Sequence, residues 1–158
     1  MKLFRIIALV LLILWMILIF SLSAQTSVES SDTSSGAIGV VLKILYPGFE
    51  KLSDVQKQDM INSLQFIARK GAHFTIYGIL GIFSFFAVIT YKGIPIKYRY
   101  LFSSLICLLY AVSDELHQHF VPGRSCELRD VLVDFSGSIT AIILLILIFR
   151  HNKLKKFV

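Results

Sequence analysis

Four apolar stretches, from Ile6 to Leu22, Ala72 to Thr90, Tyr100 to Ser113 and Val131 to Phe149, restrict this chain to folds that meet lipid. Crossing a bilayer core takes roughly 20 helical residues, and backbone amides in hydrocarbon must be satisfied within their own segment, which selects helices. The first, second and fourth stretches are long enough. The third has 14 residues, which at about 1.5 Å each cover roughly 21 Å of a core about 30 Å thick. To finish a crossing, its helix must carry Asp114, Glu115, His117 and Gln118 below the headgroups, or the bilayer must thin locally. The expected fold is therefore all-α: one domain, a polytopic membrane bundle of four transmembrane helices over about 4–22, 72–90, 100–118 and 131–149, with an outer loop 23–71 that contains an amphipathic helix.

Composition excludes a soluble domain, since 56% of residues are hydrophobic and 16% are charged. Nine of the 16 Lys and Arg residues fall at three places: Lys2 and Arg5 before the first span, Lys92, Lys97 and Arg99 between the second and third, and Arg150, Lys153, Lys155 and Lys156 after the fourth. Cytoplasmic loops accumulate such residues, so both termini are expected in the cytoplasm. The ten Asp and Glu residues then lie on the opposite side or at its edge. The net charge of +6 reflects membrane anchoring, with contact to anionic lipid, and not nucleic-acid binding. The first segment also has features of a signal peptide, with Ser21, Ser23 and Ala24 as a cleavage neighbourhood, but its apolar run exceeds the usual signal core and an uncleaved helix is expected. Cys107 within the third helix and Cys126 outside it do not form a disulfide framework.

The outer segment begins with SLSAQTSVESSDTSSG, read as a flexible or extended loop. AIGVVLKILYPG follows as a short interfacial helix ended by Pro47 and Gly48. Ser53 then caps an amphipathic helix that carries Val55, Met60, Leu64 and Ile67 and leads through Arg69 and Lys70 into the second span.

Polar residues concentrate at one end of the spans. Lys70, His73 and Tyr77 share a face of the second helix. In the third, Asp114 shares a face with His117 and Gln118, whereas Glu115 is turned about 100° away. Two adjacent carboxylates at membrane depth can hardly both be ionised and unpaired, so one is expected to be protonated or matched to an arginine. Pro122 and Gly123 form a tight turn that presents Arg124, whose planar fork suits a phosphate or carboxylate, from a ligand or from Asp114 or Glu115. Asp130 and Asp134 open the fourth span. The dipole of a first turn accounts for Asp130, while Ser136, Gly137 and Ser138 predict close helix packing with Asp134 turned inward. The bland reading of each feature is an interfacial belt or a structural ion pair. Ligand types for a divalent ion are present, but the spacing matches no metal motif, so no metal site is assigned and the cofactor is unknown.

RKGAHFTIYGILG (residues 69–81) followed by SDELHQHFVPGRSCELRDVLVDFSG (residues 113–137), with FSLSAQ (residues 20–25) after the first span, resembles the VanZ-like family. The resemblance puts His73, Tyr77, Asp114, Glu115, Gln118, Pro122, Gly123, Arg124 and Asp130 at motif positions. Asp134 stands where many members have Asn. It implies a multi-pass cell-membrane protein associated with resistance to the glycopeptide teicoplanin.

Two functions compete. In the first, an extracytoplasmic polar pocket of Lys70, Tyr77, His117, Gln118, Arg124, Asp130 and Asp134 binds a membrane lipid or a lipid-linked cell-wall precursor. In the second, the chain is an intramembrane enzyme in which Asp114 or Glu115 with His73 performs acid–base chemistry on such a molecule. Proton-coupled transport would need more helices than one chain supplies, although a homo-oligomer would add them.

Overall fold

The computed structural model describes residues 2–91 and 93–151, so Lys92, Lys153, Lys155 and Lys156 of the basic flanks lie outside the described residues. Five α-helices make up the architecture, and no strand occurs among the described residues. They are α1 (Lys2–Ser23), α2 (Ser27–Leu45), α3 (Asp54–Ile89), α4 (Ile96–Gln118) and α5 (Leu128–His151), with one 3₁₀ turn at Phe49–Lys51. Three of them, α1, α3 and the Leu128–Phe149 part of α5, are long and apolar enough to cross a membrane. Their outward faces carry exposed Ile6, Ile13 and Leu14 on α1 and Ile143, Leu144 and Leu147 on α5, as expected of surfaces in contact with lipid tails.

α3 has 36 residues, roughly 54 Å at the helical rise, so its N-terminal part must project beyond a hydrocarbon core about 30 Å thick. Ser53 caps it as expected, with its hydroxyl accepting from the Gln56 amide while the Gln56 side chain accepts from the Ser53 amide. α4 extends past its apolar stretch in both directions, and Asp114, Glu115 and Gln118 in its last turns are buried.

Contacts set the direction of each helix. Lys70, His73 and Tyr77 of α3 meet Asp130, Asp134 and Ser138 of α5 in the same order, so these two helices run parallel. α4 runs back between their ends, with Ser84 bonded to Ser103 and Tyr77 to Asp114. α1 is antiparallel to α3, tied by Arg5 to Thr90 at one end and by Trp15 to Ile76 near its middle.

The seam between α3 and α5 is closed by small residues. A Cβ on Gly137 would stand 2.1 Å from the Phe74 carbonyl oxygen, and one on Gly81 would stand 2.5 Å from that of Ser138. The backbones therefore touch, as the small run Ser136–Ser138 predicts for two of its members, Gly137 and Ser138 being buried. Ser136 is exposed and bonds back to Val133. The core behind this seam gathers Leu12, Ile19, Leu80, Phe85, Ala111 and Ile142.

The outer segment departs from expectation. The Ser/Thr-rich stretch is not an extended loop, because it forms one continuous helix, α2, with the apolar residues that follow. Thr26 and Glu29 form a reciprocal capping box that starts it. Thr33 returns its hydroxyl to the Glu29 carbonyl at 2.9 Å, and Gln65 of α3 donates to Ser31, Ser34 and Ser35. Tertiary bonding thus overrides the weak helix propensity of Ser and Thr. Further along, Ile38, Leu42 and Phe49 bury against Met60, Ile61 and Leu64, so α2 folds back on the projecting part of α3 as a helical hairpin.

Candidate functional site

The polar residues of α1, α3, α4 and α5 converge at the end of the bundle that α2 covers. Asp114 is at the centre, 3% exposed. Its Oδ2 accepts from three donors: the Ser23 hydroxyl at 2.8 Å, the Tyr77 hydroxyl at 2.9 Å and the Gln118 amide at 3.1 Å. Its Oδ1 is buried with no hydrogen-bond partner among the described residues.

Gln118 links this carboxylate to an arginine. Its amide nitrogen faces Asp114, and its amide oxygen accepts from Arg124 Nη1 at 3.0 Å. Arg124 Nε donates to the Gln25 carbonyl at 3.1 Å. The turn that presents Arg124 has Pro122 followed by Gly123 at φ +76°, and the Arg124 amide bonds to the Val121 carbonyl. This is the geometry that favours Pro then Gly at the two central positions of a type II turn. Gly123 is required twice over, because an added Cβ would also sit 3.0 Å from Ser27 Cβ.

Of the two partners open to Arg124, a ligand anion or Asp114 or Glu115, the second does not form a salt bridge among the described residues. Asp114 is satisfied on one side by neutral donors, and Glu115 Oε1 accepts from the backbone amide of Glu127. Among the described residues neither Arg124 nor Arg69 makes a salt bridge. Burial, and then the repulsion of the nearby Arg69 charge, push the Arg124 pKa down, against the pull of Asp114, Glu115 and Asp130. Two guanidinium groups therefore lie within range of each other's charge, and among the described residues neither has a carboxylate at salt-bridge distance.

The shared face of Lys70, His73 and Tyr77 is real, and each member meets its own carboxylate. Lys70 pairs with Asp130, His73 Nδ1 lies 3.1 Å from Asp134 Oδ1, and Tyr77 bonds Asp114. Asp134 is turned inward as expected, 1% exposed. His117 is placed elsewhere: its ring stacks on Phe20 with centroids 4.3 Å apart, and its Nε2 is buried without a partner. Glu115 Oε2 is likewise unpartnered. His119 and Arg129 are exposed, and both cysteines are free thiols. Among the described residues no group of three His, Cys, Asp or Glu is arranged to hold a metal ion.

A cavity of about 490 Å³ opens beside this network, between α1, α2 and α3. Asp114, Tyr77, His73, Arg69 and Arg124 are among its polar lining, with Ser30, Thr33 and Ser34 of α2, and Ile38, Val41, Leu42, Leu64 and Ile67 are among its apolar lining. Its volume falls within the range of about 300–1,000 Å³ common for small-molecule sites. Reading the residues in order had not marked Ser23, Gln25 and Arg69 as members of the site, nor α2 as its wall. The available signals were the polar close of FSLSAQ immediately after an apolar span and the unbalanced Arg69 at the head of RKGAHF.

A family model described as VanZ/LLP1 matches residues 8–150, nearly the whole chain. Comparison with curated proteins and with solved structures gave no match.

Proposed function

The chain belongs to the VanZ/LLP1 family, and on that premise we propose that it is a four-span membrane protein whose cavity binds an anionic amphiphile of the cell envelope. One observation carries the reading: Arg69 and Arg124, both without a carboxylate partner among the described residues, line a cavity whose wall is otherwise mostly apolar, with Ser30, Thr33 and Ser34 of α2 as further polar members. Uncompensated guanidinium groups are costly to keep half-buried, and a bound phosphate removes that cost through a bidentate contact. The wall of Ile38, Val41, Leu42, Leu64 and Ile67 suits a hydrocarbon chain.

The directions of the helices support the reading of four crossings. α3 and α5 are parallel spans, so α4 must recross the same layer between them, and α1 supplies the fourth crossing. All four then place Lys2, Arg5, Lys97 and Arg99 at one end and the cavity at the other. By the excess of basic residues on cytoplasmic loops, the termini face the cytoplasm and the cavity faces the outer leaflet. A protein that holds an outer-leaflet lipid or lipid-linked precursor there would alter the access of a lipophilic glycopeptide such as teicoplanin to the surface.

A second reading has its own observation. With Nδ1 of His73 committed to buried Asp134, Nε2 is the ring nitrogen left for a ligand, the arrangement by which a carboxylate orients a general base. Asp134, and not Asp114 or Glu115, is then the carboxylate that serves His73. Purification of the full chain in polymer-bounded native membrane discs, followed by lipid mass spectrometry, tests both. Binding predicts enrichment of a phosphate-bearing lipid over the bulk membrane, lost in the Arg69→Gln, Arg124→Gln double variant. Catalysis predicts a chemically altered lipid that disappears with His73→Gln. Bulk composition in every sample would overturn the binding reading.

A further inference from the structure

We infer that the amphiphile's head group carries, beside its phosphate, an O–H or N–H donor that binds Asp114 Oδ1. This rests on the binding function proposed above and narrows the ligand class. Asp114 is 3% exposed, its Oδ2 is filled by the Ser23, Tyr77 and Gln118 donors, and Oδ1 has no partner although Asp114 lines the cavity. Buried acceptors are almost always paired, so the missing donor is assigned to the occupant of the cavity.

Distance makes one head group able to reach both contacts. The single side-chain amide of Gln118 bridges Asp114 Oδ2 and Arg124 Nη1 with bonds of 3.1 and 3.0 Å. Given the widths of an amide and of a carboxylate, Oδ1 is at most about 10.6 Å from Nη1, and a hydrogen bond at each end takes up part of that interval. A phosphodiester with a two- or three-carbon hydroxyl or ammonium arm spans such an interval, with its phosphate on the arginines and its terminal donor on Asp114. Phosphatidylglycerol and phosphatidylethanolamine share that chemistry. Phosphatidylethanol and phosphatidylcholine have the same head-group charges, respectively, and lack the donor.

Dissociation constants of these four lipids, as dioctanoyl forms added to the full chain in non-ionic detergent, test the inference. Phosphatidylglycerol is expected to bind about tenfold or more tightly than phosphatidylethanol, and phosphatidylethanolamine than phosphatidylcholine, the loss that follows when a buried acceptor is left without its donor. Head-group size changes in opposite directions in the two pairs, so only the donor accounts for a shared preference. In Asp114→Asn both ratios should fall toward one. The larger of the two wild-type ratios identifies which donor, hydroxyl or ammonium, the site prefers. Equal binding within both pairs of the wild-type protein would overturn this inference and leave the amphiphile site standing. Failure of all four lipids to bind would overturn the two together.

Discussion

Substitution Gly137→Ala tests whether direct backbone contact between α3 and α5 builds the site. The new methyl carbon would lie 2.1 Å from the carbonyl oxygen of Phe74, and relieving that clash requires the helices to part by roughly 1 Å. The 3.1 Å His73–Asp134 contact and the 2.9 Å bond from the Ser138 hydroxyl to the Tyr77 carbonyl lie next to the wedge. Both would stretch past hydrogen-bonding distance. Overpacking costs about 1–3 kcal/mol and each of the two lost bonds about 1 kcal/mol, so a loss of about 3–5 kcal/mol is expected. For a chain of this size that lowers the Tm by roughly 6–20 °C. Gly71→Ala is the matched control, because nothing lies within 4 Å of its Cβ position and alanine favours the helix by up to about 1 kcal/mol. Thermal unfolding of the three proteins in the same detergent decides the matter. Equal Tm for Gly137→Ala and Gly71→Ala would refute the close seam.

Tyr77→Phe removes one of the three donors on Asp114 Oδ2 at a site that is 1% exposed. It should cost about 1.5–3 kcal/mol in denaturant unfolding, and a cost near zero would mean that Tyr77 does not serve the carboxylate. At the exposed start of α2, the backbone and then the side-chain hydrogen bonds from Thr26 hold the Glu29 pKa below its ordinary value. A lowered folded-state pKa gives stability that is present above the unfolded value and lost as pH falls through the folded one. Amide exchange in the first turn of α2, corrected for intrinsic rates, should therefore speed up under acid, and Glu29→Gln, which removes the titrating group, should abolish that pH dependence. For orientation, Cys126 is exposed and Cys107 is buried. A membrane-impermeant maleimide added to intact cells should label Cys126 alone, and labelling only after lysis would reverse the proposed topology.

Much of this architecture is legible along the chain, and what is not has physical causes. The apolar runs mark α1, α3 and α5, because hydrocarbon imposes a length and a composition that few other constraints mimic. Ser53 and Gln56 mark the start of α3, since capping is local. The shortfall of the third apolar stretch points to a helix that runs on through Asp114, Glu115, His117 and Gln118, as α4 does, and three of the four are buried against the other helices while His117 is half-buried. α2 is hidden because its Ser-rich half becomes helical through Gln65, a residue more than 30 positions away from Ser31 and Ser34. The assignment of His73 to Asp134 and of Tyr77 to Asp114 depends on helix register across 61 and 37 residues, which periodicity along one helix does not encode. His117 shares the Asp114 face by helical angle, yet Phe20 of α1 claims its ring.

An experimental structure of the full chain in lipid discs tests the central claim most directly. The account predicts an elongated ligand between α1, α2 and α3, with its phosphate within about 3 Å of the Arg69 and Arg124 guanidinium groups, the distance of a charge-assisted hydrogen bond, and its tail along Ile38, Leu42 and Leu64. Arg69 and Arg124 each bonded to a protein carboxylate, with α2 collapsed onto α3 and no space between them, would contradict it.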